Sequence, residues 1–352
     1  MKSYYSLIQF IFVFCAAVLQ VDATPSSQKS VTSPIAVKEN NSAIVMVSAV
    51  NTPEKNDKEI FRPIPFHAKY KIALDNASHF DEGIDKVNGT LEMTVIEKDK
   101  DDVRLWTTEQ KSTLYIYYKG KTVADKYELM IASYESKNGE NYEFYVRSIV
   151  NDTQDEIIFK GEARLPEGKQ GYIQLKQNGA EEEESKLVVL PAGTLFPLKH
   201  MHMLIEEALK GNTTVGQKKV FDGSSDAQEV VEVDAYITPK NNYKMNVSTD
   251  SKTTDSAEIE LAQRLKNAKA WQVKVNVFTL GSRDDSDPEY TYNQTVNSLG
   301  IPVSMKITHS DPEFTVDIVM TDFSKTPLSN GSLFNNISDS PVVKSNSAAA
   351  AA

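Results

Sequence analysis

The chain has 352 residues, of which 40% are hydrophobic and 25% are charged. This composition is ordinary for a globular protein and excludes a wholly disordered or collagen-like chain. The 49 acidic residues outnumber the 38 basic ones and give a formal net charge of −11. Because nucleic-acid backbones are bound by clustered Lys and Arg, this charge argues against nucleic acid as a partner.

Residues 1–23 have the pattern of a secretory signal peptide. Lys2 provides the positive start, Leu7–Leu19 is apolar, and Val21–Ala23 precedes the expected cleavage point. The apolar stretch is shorter than the about 20 residues that span a bilayer, so we expect cleavage rather than a membrane anchor. The only cysteine, Cys15, would be lost with the signal peptide, which excludes a disulfide scaffold, a cysteine nucleophile and thiolate zinc sites in the exported chain.

The remaining chain divides into three parts by composition. Residues 24–58 are a polar linker, interrupted by the apolar run Ala43–Val50, which is either a strand that docks late or a sticky patch in a tail. Residues 59–328 form the predicted folded domain. Residues 329–352 are polar, finish in a run of alanines and are predicted to be disordered.

Apolar residues in the domain recur at every second position, which predicts β-strands. The clearest stretches are Phe66–Leu74, Leu114–Tyr118, Tyr142–Val150, Trp271–Val277, Val303–Ile307 and Phe314–Met320. Three Asn-Gly pairs lie between such runs and predict tight hairpin turns: Asn88-Gly89, Asn138-Gly139 and Asn178-Gly179. We expect about a dozen strands in an antiparallel meander.

Two segments have helical spacing instead. Pro197–Lys210 is amphipathic, with Pro197 suited to the first turn and Gly211 to the stop. Ser256–Ala268 is a second, weaker helix. The sequence therefore predicts a mainly β fold, in which a long antiparallel sheet curls as a spiral or open barrel around one amphipathic helix.

Motifs for chemistry are scarce. The chain has no phosphate-binding loop, nucleophile elbow or His-Glu-x-x-His motif. His200 and His202 are two positions apart on the predicted helix and point in different directions. We therefore expect one to pack against strands and the other to meet solvent, although His202 and Glu206 could share an ion. No metal or cofactor is predicted.

Acidic clusters at Glu181–Glu184 and at Asp284, Asp285 and Asp287 are interpreted as polar loops, with an ion site as the alternative. Paired carboxylates for glycoside hydrolysis would come from distant segments, so no catalytic residue is assigned.

Aromatic residues on the predicted strands either fill a core between sheet and helix or line an apolar pocket for lipid or polypeptide. They are Tyr115, Tyr117, Tyr118, Tyr134, Tyr142, Phe144 and Tyr145.

Nine Asn-x-Ser/Thr sequons leave a glycosylated eukaryotic surface protein open as a third hypothesis. They begin at Asn40, Asn76, Asn88, Asn151, Asn212, Asn246, Asn293, Asn330 and Asn336.

The segment Leu190–Gly223 resembles the signature of an alphaproteobacterial periplasmic family, the EipB-like cell-envelope integrity proteins. That signature is a Leu-Pro-x-Gly-Thr-x-Phe-Pro-x-x-His block, a helix ending in Gly, and a Phe-Asp-Gly. The matching positions are Leu190, Pro191, Gly193, Thr194, Phe196, Pro197, His200, Ala208, Gly211, Phe221, Asp222 and Gly223. Looser matches extend the resemblance to about residues 60–328, at Pro65–Tyr70, Val87–Leu91, Pro288–Tyr290, Asn297–Ile301 and Asp322-Phe323.

The resemblance implies a β-spiral fold and a periplasmic location. Members of the family usually carry two cysteines that form a disulfide; here Val103–Trp106 occupies the region of the first, and only the Trp is retained. Such a tie contributes about 2–5 kcal/mol in a typical case, and we expect a domain of this size to fold without it.

The sequence and the resemblance together predict an exported, periplasmic, non-enzymatic protein that supports envelope integrity. It would bind lipid, a lipoprotein or a periplasmic protein on its curved sheet. The signature residues are interpreted first as anchors of the helix, with Phe196 acting as a staple where the chain enters it. The alternative is a hydrolase of envelope polymer that uses His200 and Asp222.

Overall fold

The computed structural model of the chain describes residues 61–75, 83–100, 103–137, 139–150, 157–178, 184–221, 230–245, 256–282, 287–310 and 313–324. The predicted signal peptide (1–23), polar linker (24–58) and C-terminal tail (329–352) lie outside these residues. No helix in the described part of the chain is both long and apolar enough to cross a membrane.

Fifteen strands and two helices occur within the described residues. In chain order they are β1 Phe66–Asp75, β2 Ile84–Lys100, β3 Val103–Tyr118, β4 Asp125–Ser136, β5 Asn141–Val150, β6 Ile157–Arg164, β7 Gly171–Asn178, β8 Glu184–Leu190, β9 Thr194–Leu195, α1 Pro197–Leu209, β10 Thr214–Phe221, β11 Val230–Pro239, α2 Ser256–Lys266, β12 Ala270–Thr279, β13 Tyr290–Asn297, β14 Pro302–Ser310 and β15 Glu313–Ser324.

All fifteen strands belong to one sheet, in the order β8-β7-β6-β5-β4-β3-β2-β1-β15-β14-β13-β12-β11-β10-β9. The first and last strands therefore pair in the middle of the sheet, and the middle of the chain forms both edges. Neighbours are antiparallel except β9 and β10, which are parallel. The sheet is nearly closed into a barrel with one seam, between β8 and β9. The mainly β, curled-sheet prediction is confirmed, with more strands than expected.

Alternation of apolar residues places one face of the sheet against the core. In β1, Phe66, Ala68, Tyr70 and Ile72 are almost completely buried, while Lys69 and Lys71 are exposed. The Tyr70 hydroxyl donates a hydrogen bond of 2.9 Å to a backbone carbonyl of β14, so even the polar end of this ring is satisfied inside. The strands thus present a continuous apolar wall to whatever lies inside the curl.

Helix α1 lies inside the curled sheet. It is 13 residues long, and most of its residues are buried. Gly211 follows it with φ of +85°, a conformation that favours glycine and ends the helix. The predicted helix is confirmed and ends one residue earlier than expected. Helix α2 is also confirmed, and buries Leu265 against the core.

The prediction of a turn at Asn88-Gly89 is wrong. Both residues lie inside β2, where Gly89 pairs with Ile72 on one side and Leu114 on the other. A Cβ at position 89 would collide with the Thr113 carbonyl oxygen and the Leu114 side chain, so this glycine permits close approach of two strands rather than a turn. Gly139, in contrast, lies between β4 and β5 with φ of +78°, and its N–H donates to the Ser136 carbonyl, as the predicted turn requires; Asn138 lies outside the described residues.

For the third predicted turn, Asn178 is the last residue of β7, and Gly179 lies outside the described residues.

This crowding predicts that Gly89→Ala lowers the free energy of unfolding by about 2 kcal/mol, because one added methyl group must displace backbone or Leu114. Gly216→Ala in β10 is the matched control, since nothing lies within 4 Å of a Cβ built there. Chemical denaturation of both variants measures the difference. Equal stability of the two variants would contradict the close approach.

Candidate functional site

Three side chains on neighbouring strands of the inner wall receive helix α1. Trp106, Glu135 and Tyr142 lie side by side in register on β3, β4 and β5. The Trp106 ring is 5.7 Å from the His202 ring of α1, and the Tyr142 ring stacks on Phe196 at 4.7 Å. Glu135 meets the start of the helix itself. We call Trp106, Glu135 and Tyr142 the helix seat.

Glu135 satisfies the backbone donors that the helix start leaves open. The Leu198 N–H donates to Glu135 Oε1 at 2.7 Å, and the Lys199 N–H donates to Oε2 at 2.9 Å. Pro197 has no N–H, and the His200 N–H bonds within the helix to the Phe196 carbonyl. Phe196, at the cap position, has no side-chain acceptor to offer. A carboxylate from a distant strand therefore does the work of a local capping residue.

Burial works against the charge that this cap would carry. Desolvation raises the pKa of Glu135 to about 7, while the two N–H donors and the nearby Lys199 ammonium oppose the rise. Glu135 as a whole is only 3% exposed. Glu135 therefore changes protonation near neutral pH, at the point where the helix joins the wall.

Phe196 also anchors an aromatic cluster. Tyr142 contacts Phe221 edge-on at 6.1 Å, and Phe144 lies 6.2 Å from Phe221. All four rings are essentially inaccessible to solvent. The cluster joins β5, the end of β10 and the start of α1, so the structure brings together two of the signature residues, Phe196 and Phe221. Phe196, interpreted from the sequence as a staple, stacks on a strand residue where the chain enters α1.

Four further signature residues, Leu190, Pro191, Gly193 and Thr194, lie on the connection from β8 to the helix. Leu190 is the buried last residue of β8, and Gly193 has φ of +77° in the following turn. The Thr194 hydroxyl donates to the Pro191 carbonyl at 2.7 Å, which fixes that turn. Asp222 and Gly223 lie outside the described residues.

We expected one helix histidine to pack against strands and the other to meet solvent; His200 is buried, and His202 is partly buried. His200 is 5% exposed, and burial lowers its pKa to about 4. His202 packs between Phe61 and Trp106, at ring distances of 5.0 and 5.7 Å, and burial lowers its pKa to about 3. Glu206, the residue that could share an ion with His202, is exposed. Because the pKa values of both histidines lie well below 7, both imidazoles are neutral at physiological pH.

The strand aromatics do not converge on one place. Tyr142 and Phe144 lie in the core, whereas Tyr115 and Tyr117 are more than a third exposed. Tyr134 and Tyr145 pair edge-on with each other at 6.4 Å. The core interpretation therefore holds for some of these rings and not for others.

Within the described ranges, no group of three His, Cys, Asp or Glu side chains is arranged to hold a metal ion. Residues 181–183 and 284–285 of the acidic clusters lie outside those ranges.

A second feature lies at the seam. Among the described strands, β8 pairs only with β7 and is therefore an edge of the sheet. On its outer face Leu187 is 64% exposed and Val189 48%, and Tyr172, paired with Val189, is 50% exposed. Its inner face carries Val188 and the buried Leu190. We call β8 with these side chains the seam edge.

Sequence reasoning assigned no role to Glu135, Trp106 or the seam edge. One signal was present for Glu135: it occupies the inward position of β4 that Tyr127, Leu129 and Ile131 fill with apolar side chains. A carboxylate in that position needs a buried partner, although the sequence does not say which one.

The fold and the seat define a mainly β, barrel-like protein whose sheet is nearly closed around an internal helix. A family model described as EipB-like matches residues 58–327, so the chain belongs to the EipB-like family. A crystal structure of a beta-barrel-like protein of the domain of unknown function DUF1849, from Brucella abortus, is similar in fold. It is 22% identical, with a TM-score of 0.56, over 76% of this chain and all of that chain. The chain matches no curated protein.

The raised pKa of Glu135 predicts a pH dependence of stability. The folded state holds this proton to about pH 7 and the unfolded state only to about 4.5, so the group's contribution to stability falls as pH rises across that window. Glu135→Gln cannot titrate. We expect its free energy of unfolding, relative to the unsubstituted protein, to improve by up to about 3 kcal/mol from pH 5 to pH 8.

Denaturant titrations of both proteins at each pH measure this difference. The lowered pKa values of His200 and His202 have the opposite effect, because they reduce the stability of the folded state as pH falls below 6.5. This effect is the same in both proteins and cancels in the difference between their free energies of unfolding. A difference that stays constant from pH 5 to pH 8 would contradict the assignment.

Proposed function

We propose that this protein is an exported, periplasmic and non-enzymatic component of the cell envelope, and that it supports envelope integrity by binding an extended polypeptide at the seam edge. The observation that carries the proposal is an edge strand with exposed apolar side chains. Export is supported by the signal-peptide pattern of residues 1–23, and the envelope role by membership of the EipB-like family.

An edge strand offers two kinds of contact at once. Its outward backbone N–H and C=O groups can pair with an added strand, which provides affinity, while its side chains select the sequence. Natural edges are commonly blunted by charge. In β8 the charged residues are confined to its first three positions, and Leu187–Leu190 carries none. This half of the strand therefore suits pairing with an apolar extended segment.

Polypeptide fits this place better than lipid does. A lipid tail cannot use the unpaired backbone groups of an edge strand. The inner wall that could face a lipid is already occupied at the helix seat, where Phe196 stacks on Tyr142 and His202 lies against Trp106. A partner protein or lipoprotein that offers an extended segment is the class we infer.

The packing of His200 supports a structural rather than a catalytic role. Its imidazole is buried on the helix and neutral, with its pKa well below the physiological range. A general base for hydrolysis needs access to substrate and a pKa near the working pH. Neither condition favours the hydrolase alternative.

The proposal predicts that Val189→Lys disables the protein without unfolding it, because a lysine on an edge strand opposes pairing. Val319→Lys is the matched control: Val319 is 51% exposed against 48% for Val189, but β15 is paired on both sides. Each variant is expressed in host cells lacking the native gene, and survival in detergent is measured. We expect Val319→Lys to restore resistance and Val189→Lys to leave the cells as sensitive as the deletion strain. Full rescue by Val189→Lys would overturn the proposal.

A further inference from the structure

A strand added at the seam edge would need apolar side chains on both of its faces. On one face it would continue the inner wall beside Val188 and Leu190, which pack on the core. On the other it would lie beside the exposed Leu187 and Val189. A strand that is covered on both faces is a nearly continuous run of apolar residues, whereas a strand with one face in solvent alternates apolar and polar residues.

One segment of the chain fits this requirement. Ala43–Val50 reads AIVMVSAV: it has no charge, and every residue except Ser48 is apolar. Its eight residues match the seven of β8 in length. The flanking sequence is polar, with Lys38-Glu39 before it and Glu54-Lys55 after it, so the apolar run is bounded like a single strand. We propose that Ala43–Val50 docks as an added strand on the seam edge of the same molecule.

The described part of the chain begins close enough for this contact. Phe61 lies beside the His202 ring, and that ring lies beside Trp106. From Trp106 a row of directly paired residues crosses the sheet to β8, through Glu135, Tyr142, Ala163, Ile173 and Val188.

Five strand spacings of about 4.8 Å make that row about 24 Å long. The 5.0 Å from Phe61 to His202 and the 5.7 Å from His202 to Trp106 bring the path from Phe61 to about 35 Å, and the curl of the sheet shortens it. Ten residues, 51–60, connect the segment to Phe61 and span about 35 Å when extended, so a nearly extended linker reaches the seam edge.

Docking of this segment would protect the seam edge until a partner arrives. An uncovered apolar edge is a template for pairing with other chains, which leads to aggregation. The segment and the partner of the proposed function would compete for the same strand, but the docking itself does not depend on that partner.

Hydrogen exchange followed by mass spectrometry tests the docking. Three proteins are compared: the chain from residue 24, the same chain lacking residues 43–50, and a control lacking the polar residues 26–33. We expect the amides of residues 187–190 to exchange at least about tenfold faster in the first deletion and to be unchanged in the control. A synthetic peptide of residues 41–52 should restore the protection. Unchanged exchange in β1 and β15 would show that the barrel stays folded.

Equal exchange of residues 187–190 in all three proteins would overturn the inference. Protection of these amides that is lost when the protein is diluted would also overturn it, because it would identify a second copy of the chain as the occupant. These outcomes are separate from the detergent test. If exchange is equal but Val189→Lys fails to rescue, the docking is wrong and the proposed function stands. If the deletion exposes the edge but Val189→Lys rescues, the docking stands and the proposed function is wrong.

Discussion

The structure depends on one constraint: a fifteen-stranded sheet curls almost into a barrel, yet its two edges, β8 and β9, do not pair with each other. At the seam the two edges are joined by the short connection 191–193 and not by hydrogen bonds between strands. Along the rest of the seam, packing inside must hold the curl, and helix α1 is placed for it. Its start is bound by Glu135 and stacked on Tyr142 in the first half of the sheet, while Met201 contacts Gln294 of β13 in the second half.

The helix start shows why this arrangement is specific. Two buried N–H groups without acceptors would each cost about 1–3 kcal/mol, and Glu135 accepts from both. The same burial holds the carboxyl close to its titration point, so the joint between helix and wall is strong but sensitive to pH. The described residues contain no cysteine, so the core and this joint hold them together without a disulfide.

The elements were largely predictable from sequence, because alternation in β1 or β12 and the helical spacing of α1 are local signals. The pairing was not. β1 and β15 are more than 200 residues apart, and the sequence of neither strand identifies the other as its pairing partner. The turn predicted at Gly89 is wrong because an Asn-Gly pair favours a turn, whereas here the missing side chain allows two strands to approach. Glu135 could be noticed as a charge in an inward position, but its partners on α1 follow only from the fold. One of the two helix histidines was expected in solvent; His202 instead packs against Phe61, which sequence spacing does not place beside it.

The central claim is that α1 ties both halves of the sheet into one cooperative unit, and the two tryptophans of the chain test it directly. Trp106 reports the helix seat in the first half, and Trp271 reports β12 in the second. Trp106→Phe and Trp271→Phe each leave one reporter, whose fluorescence is followed in denaturant beside the circular dichroism of the same sample. We predict coincident transitions by both probes within each variant. A fluorescence transition that precedes or follows the circular dichroism transition in either variant would show that the halves unfold separately and would contradict the account.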